Sequence, residues 1–265
     1  MSSRARKRQR HKQLRRQKIE AEVRAYKARR RRSLAIRLGI VLSVVGVVAA
    51  LVLNARSPEE PEAEAQTCST RRPELAETER SFPQPPTLAI DQAKTYIAEM
   101  ETSCGTMTIT LADDTSPQTV NSFVFLTRQR FFDGLPFHRV TTYAVQSGDP
   151  KGDGSGGPGY QVAEPPPPEF TYVKGVVAMA KAENDPPGTS GSQFFIVPDA
   201  QEAQLAGLNG IPQKPALYAV LGTVTKGMDA LDKLGAVETF TPPNKREKST
   251  PRTPIYIVKV EITES

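Results

Sequence analysis

Three short stretches gather the residue types that could do chemistry: Phe137-His-Arg-Val140, Gln146-Ser-Gly-Asp149 and Ser190-Gly-Ser-Gln-Phe-Phe-Ile-Val197. Together they offer one arginine, two glutamines and several aromatic rings. An arginine carries a permanent charge on a planar fork of donors, a glutamine amide both donates and accepts, and aromatic rings supply an apolar slot. Such a set can work without nucleophile or metal, and it suits a pocket that holds an apolar group and aims a charged donor at a polar atom beside it. Competing chemistries are poorly supported. His138 reads as a packed or hydrogen-bonded side chain rather than a base. Two cysteines, Cys68 and Cys104, cannot close a structural zinc site by themselves, so no metal is expected. The glycine run from Gly152 to Gly159 lacks the lysine-serine ending of a phosphate loop.

The elements that must position these residues follow from periodicity. Tyr96-Ile-Ala-Glu-Met-Glu-Thr102 and Met107-Thr-Ile-Thr-Leu111 alternate apolar and polar residues about a Cys-Gly turn, a hairpin signal. Thr115-Ser-Pro-Gln supplies a cap and a first-turn proline for a helix running through Leu126. Later strands fall at Gly175–Met179, Gln193–Val197, Tyr218–Leu221 and Ile255–Ile262, and a second helix fits Met228–Leu234. Phe123, Phe125, Phe131, Phe132 and Phe194 are expected in the core, and Pro165 to Pro168 form a rigid extended loop. Many short strands with two helices predict a mainly β domain, an antiparallel barrel closed by helices.

The order Phe131-Phe-Asp-Gly134, Phe137-His-Arg-Val140, Gln146-Ser-Gly-Asp-Pro150, Gly156-Gly-Pro-Gly159, Met179-Ala180, Ser190-Gly-Ser-Gln-Phe-Phe-Ile196, Leu221-Gly222 and Lys226-Gly-Met228 resembles the cyclophilin family of peptidyl-prolyl isomerases. The resemblance runs over about residues 96 to 264 and is specific because the pieces keep the family's order. It implies a closed, eight-stranded antiparallel barrel capped by two helices, and cis–trans isomerisation of Xaa-Pro bonds without a cofactor. Arg139 falls on the family's catalytic arginine. Gln146 and Gln193 fall on its substrate-orienting glutamines, Phe195 and Tyr143 on aromatic pocket positions, and Ala180 and Lys181 where the substrate backbone is met. Tyr218 stands where some members carry histidine. Departures are local: Val140-Thr-Thr-Tyr-Ala-Val145 is one residue short, Ala144 replaces a larger pocket residue, Lys181 replaces a frequent asparagine, and no tryptophan is present.

The rest of the chain says where the domain is held. Through Arg37 there are 16 Lys and Arg against two acids, a net of +14, while the remainder carries 19 against 27, a net of −8. The overall +6 and a pI near 9.3 therefore belong to the tail, and a nucleic-acid partner is not expected for the domain. Residues 34–53 form an apolar stretch long enough to cross a bilayer core of roughly 30 Å. Only Arg37 interrupts it, in the first turn, where its head can reach the interface. Arg29-Arg-Arg-Arg32 on one flank against Pro58-Glu-Glu-Pro-Glu62 on the other orients the helix with its N-terminus in the cytoplasm. A cleaved signal peptide fits less well, because the apolar stretch is long and the small-residue site Ala63-Glu-Ala65 lies well beyond it.

The expected organisation is thus a basic cytoplasmic tail over 1–33, touching anionic lipid, a transmembrane helix over 34–53, a Pro- and Glu-rich linker over 54–95 and the domain over 96–264. Export permits oxidation, and a disulfide between Cys68 and Cys104 is preferred to two unrelated thiols. The function expected is a monomeric, single-pass membrane isomerase acting on Xaa-Pro segments of exported polypeptides at the outer face of the cell membrane. The alternative is a catalytically weak proline-binding chaperone or docking module.

Overall fold

The computed structural model describes residues 68–75, 78, 80–210, 215–243 and 246–265. The chain divides into two compact units, Met1–Ala65 and Gln66–Ser265, and the fold described is that of the second. The expected tail, membrane helix and first part of the linker lie outside the described residues, among which no helix is long and apolar enough to cross a membrane.

Alternation builds the first hairpin as expected. In β1 (Tyr96–Thr102) every second residue from Tyr96 is buried, and in β2 (Gly105–Leu111) Met107, Ile109 and Leu111 are. After α1 (Pro117–Arg128) come β3 (Arg139–Val140), β4 (Val145–Ser147), β5 (Val162–Ala163), β6 (Val176–Met179), β7 (Thr189–Ser190) and β8 (Phe194–Ile196). The chain continues through α2 (Ala200–Leu205), β9 (Val220–Lys226), α3 (Met228–Gly235), β10 (Thr239–Phe240), β11 (Thr250–Pro251) and β12 (Ile257–Glu264). Eight strands form one antiparallel sheet in the order β12-β1-β2-β9-β6-β8-β4-β3, while β5 pairs with β7 and β10 with β11. Short α2 is an addition to the two expected helices.

The expectation of a closed barrel is corrected: the sheet curls but its edge strands β3 and β12 share no ladder. Between them lie only the isolated bridge of Pro136 with Tyr256 and three backbone bonds of 2.9 Å, from Gly134 N–H to Ile257 O, Ile257 N–H to Leu135 O and Phe137 N–H to Ile255 O. Pro136 has no N–H to give, and β3 is two residues long, so a continuous ladder cannot propagate there.

Inside the curl, Met100, Met107, Ile109, Val177, Phe194, Ile196 and Leu221 meet the apolar faces of α1 and α3. Phe123 of α1 stacks on Phe132 with centroids 4.8 Å apart. Ser116 at the N-cap makes no side-chain capping bond, contrary to the sequence expectation of a cap. Glu164 does the capping instead, its carboxylate accepting from the N–H groups of Thr119 at 2.9 Å and Gln118 at 3.3 Å. A carboxylate suits that place because it meets both unpaired donors and the positive end of the helix.

The described part of the Pro-rich segment is extended and lies on the domain. Cys68 and Cys104 are disulfide-bonded, and Ser69 N–H donates to Ser103 O at 2.6 Å. Further along, Phe82 packs edge-on against Phe125 at 5.1 Å, and Phe82 N–H donates to Pro158 O at 2.7 Å. Asn121 of α1 then holds the segment by both ends of its amide, accepting from Ala89 N–H at 2.8 Å and donating to Thr87 O at 3.0 Å.

Candidate active site

Strand alternation divides the chemistry from the core. Phe194 and Ile196 point into the main core, so Phe195 and Val197 face the other way, joining Val176, Ala178, Ala144 and Tyr172 in a second apolar cluster. Register then lines up a row across four strands. Arg139 of β3 stands opposite Gln146 of β4, Gln146 opposite Phe195 of β8, and Phe195 opposite Ala178 of β6. Directly opposed residues share a face, so the arginine, a glutamine and the aromatic ring are neighbours by construction.

The side chains complete one hydrogen-bonded line. Arg139 Nη1 donates to Gln146 Oε1 at 3.3 Å, and Gln146 Nε2 donates to Gln193 Oε1 at 3.0 Å. Gln193 Nε2 in turn donates to the carbonyls of Gly154 at 3.0 Å and Gly156 at 2.8 Å. The glycine-rich loop is therefore a wall of the site, tied down by Gln193. Together with Ala180, Lys181 and Ala182 that loop bounds a cleft of about 660 Å³, onto which Gln146 and Gln193 open. Gly148 permits the close approach behind them. It has φ +85°, and a Cβ there would meet Ser192 O at 2.2 Å, while Ser192 Oγ donates to Gly148 O at 2.7 Å.

The aromatic side is built by Phe195 and Tyr218, edge to face at 5.2 Å. Tyr172, not anticipated from sequence, holds Tyr218 in place: its hydroxyl donates to Tyr218 O at 2.7 Å and accepts from Tyr218 N–H at 3.0 Å. Burial raises the pKa of both phenols, Tyr143 adding to the effect at Tyr218, so both remain hydroxyl donors.

Tyr143 packs against the second apolar cluster and also reaches the arginine. The turn from Arg139 to Gln146 is tight, with Thr141 N–H donating to Ala144 O at 2.8 Å. That turn carries Tyr143 onto the arginine, whose Nη2 donates to the Tyr143 hydroxyl at 2.6 Å and whose Cζ lies 5.3 Å from the ring centroid. Lys181 folds back on its own turn, Nζ donating to the carbonyls of Ala182 and Asp185 at 2.9 Å each. Lys181 borders the cleft, but its charge is turned onto these carbonyls. Ala180 N–H is engaged by Gln193 O at 2.9 Å. His138 is buried.

A second residue was not legible. Glu247, in the loop between β10 and β11, takes Arg139 Nε at 2.7 Å on one carboxylate oxygen and Nη2 at 2.8 Å on the other. It lies 108 residues from Arg139 in a charged loop, and no local pattern marks it. Burial works against the charge of Arg139, but the hydrogen bond and charge of Glu247, with those of Tyr143, more than offset it, so its pKa lies above the ordinary arginine value. The hydrogen bond from Arg139 holds the Glu247 carboxyl below the usual carboxylate range. Among the described residues no group of three or more His, Cys, Asp or Glu could hold a metal ion.

A curled eight-stranded sheet with an arginine, paired glutamines and an aromatic floor on one face is the architecture of the cyclophilin fold. Residues 97–262 match the family described as cyclophilin type peptidyl-prolyl cis-trans isomerase/CLD, and the chain belongs to that family. It is 41% identical over 152 residues to the probable peptidyl-prolyl cis-trans isomerase B of Mycobacterium tuberculosis, covering 51% of this chain and 45% of that one. The chain thus spans less than half the length of this relative. A peptidyl-prolyl cis-trans isomerase of Helicobacter pylori is 34% identical over 149 residues, covering 54% of this chain and 82% of that one. Among solved structures, a Cryptosporidium parvum cyclophilin type peptidyl-prolyl cis-trans isomerase, crystallised in the presence of the dipeptide Ala-Pro, superposes with a TM-score of 0.51 at 25% identity. That match covers 64% of this chain and 99% of the other.

Proposed function

We propose that this chain is a peptidyl-prolyl cis–trans isomerase that accelerates folding of exported polypeptides at the outer face of the cytoplasmic membrane, anchored through residues 34–53. The observation that carries the activity is the row Arg139–Gln146–Phe195, which sets a permanent cation beside an apolar ring slot. Rotation about a prolyl amide meets a barrier of roughly 18–20 kcal/mol because it breaks conjugation. As the bond twists, the nitrogen recovers its lone pair and becomes an acceptor. A donor that meets the nitrogen only then favours the transition state over either ground state. In this reading Arg139 is that donor, Phe195 and Tyr218 grip the proline ring, Gln146 orients the peptide, and Gln193 holds the glycine-rich wall. The Ala-Pro dipeptide of the related parasite protein supports an Xaa-Pro ligand.

The charge split of the chain and the apolar run over 34–53 support the membrane placement. The shortened turn and small Ala144 favour the second reading, a proline-binding module with slow turnover, because they leave less wall around the ring. Isomerisation of a short Xaa-Pro peptide by the full-length protein in detergent micelles separates the two. Catalysis is expected, with kcat/KM falling about 100-fold in Arg139→Ala for loss of one aimed charged donor. Equal near-background rates from both folded proteins, with peptide still bound, would leave the binding module.

A further inference from the structure

Arg139 has five N–H donors, and their use can be followed one by one. Nε–H and one Nη2 hydrogen go to the two oxygens of Glu247, the other Nη2 hydrogen to Tyr143, and one Nη1 hydrogen to Gln146. Among the described residues, one Nη1 hydrogen is left without an acceptor. Glu247 is held for its task. Val140, next to Arg139, donates its N–H to Ser249 O at 2.7 Å, which ties the segment two residues past Glu247 to β3. At the base of the same loop, Thr239 pairs with Pro251 and Phe240 with Thr250, and Arg252 N–H donates to Glu238 O at 2.8 Å. The two-oxygen grip fixes the plane of the guanidinium, which a single contact would leave free to turn.

We propose that Glu247 is a positioning residue that clamps the Nε and Nη2 edge of Arg139 and so aims the remaining Nη1 hydrogen at the prolyl amide. The proposal rests on the reading of Arg139 as the donor. Glu247 touches no substrate in this scheme. It acts through the arginine, so its loss moves the turnover step and leaves peptide affinity nearly unchanged, because Phe195, Tyr218 and Gln146 still hold the peptide.

The test compares full-length wild type with Glu247→Ala and Glu247→Gln, each alone and in an Arg139→Ala background, by peptide isomerisation. We expect Glu247→Ala to lower kcat at least tenfold with KM within twofold, and Glu247→Gln, which keeps one acceptor oxygen, to recover at least threefold of that. In the Arg139→Ala background neither change should alter the rate further, which a general structural role would not predict. A kcat within twofold of wild type in Glu247→Ala, or a rise showing that the carboxylate competes with peptide, would overturn the proposal. A second readout does not depend on turnover: the Arg139 Nε–Hε resonance, assigned by its loss in Arg139→Lys, should be sharp in wild type and broadened by exchange in Glu247→Ala. If wild type fails to turn over peptide yet the resonance behaves this way, the isomerase reading fails while the clamp stands. If the resonance is equally sharp in both, the clamp is wrong whatever the rates.

Discussion

At Arg139 the question is what its partners do, stability or aim. The Arg139 side chain is 26% exposed and that of Glu247 43%, and pairs as open as this contribute about 0–1 kcal/mol to folding. Aim is the larger consequence, since each 1.36 kcal/mol at the transition state is tenfold in rate. The carboxyl pKa of Glu247 is depressed, so whatever the pair adds is present above the ordinary carboxyl value and is lost only as pH falls through the lower folded value. At neutral pH the clamp is fully charged. Tyr143 offers the sharpest single-atom probe, since its hydroxyl accepts from Nη2 and also donates to Glu247 Oε1 at 3.3 Å. In Tyr143→Phe the ring stays over the guanidinium and the two bonds go. An effect of about 1 kcal/mol on the barrier, roughly a fivefold lower kcat in the peptide assay, is expected. A larger rise in KM than fall in kcat would instead make Tyr143 a wall of the pocket, which is the part the sequence alone suggested.

Between elements, alternation carries most of what could be read ahead. The hairpin of β1 and β2, the helices α1 and α3 and the buried strands β6 and β8 show in their apolar periods, and the motif order places Arg139, Gln146, Gln193 and Phe195 together. What sequence could not supply were contacts with no local period: Glu247 on Arg139, Tyr172 on Tyr218, Glu164 on the start of α1. Barrel closure failed for a related reason, since whether two edges meet depends on a two-residue strand and on Pro136, features that strand counting does not weigh. The segment after Cys68 is similar. Its proline content reads as a spacer, yet Asn121 and the Phe82–Phe125 contact seat it on α1. Joining residues 36 apart, the disulfide should stabilise the domain by roughly 3–4 kcal/mol in the chain-entropy model. Replacing both cysteines by serine should therefore lower the thermal midpoint by roughly 10 °C for a domain of this size. Calorimetry or circular dichroism would decide, and a midpoint that does not move, in the variant or under reductant, would mean that Asn121 and Phe82 hold the strap unaided.

On the scale of the whole molecule, two unrelated features support the proposed placement of the domain outside the cytoplasmic membrane. The charge split, +14 through Arg37 and −8 after it, favours a cytoplasmic N-terminus with the domain outside. Independently, a disulfide between Cys68 and Cys104 requires an oxidising compartment to persist. Neither argument uses the other's residues, so their agreement is informative. These are the only two cysteines in the chain, which makes thiol labelling a report on them alone. Intact cells treated with a membrane-impermeant maleimide should leave the protein unlabelled, and prior treatment with an impermeant reductant should expose both thiols to it. A domain on the cytoplasmic side would give the reverse pattern. Its thiols would escape label in intact cells even after reductant and would react after lysis without any, and the placement of the isomerase among exported chains would then fall while the chemistry at Arg139 stood.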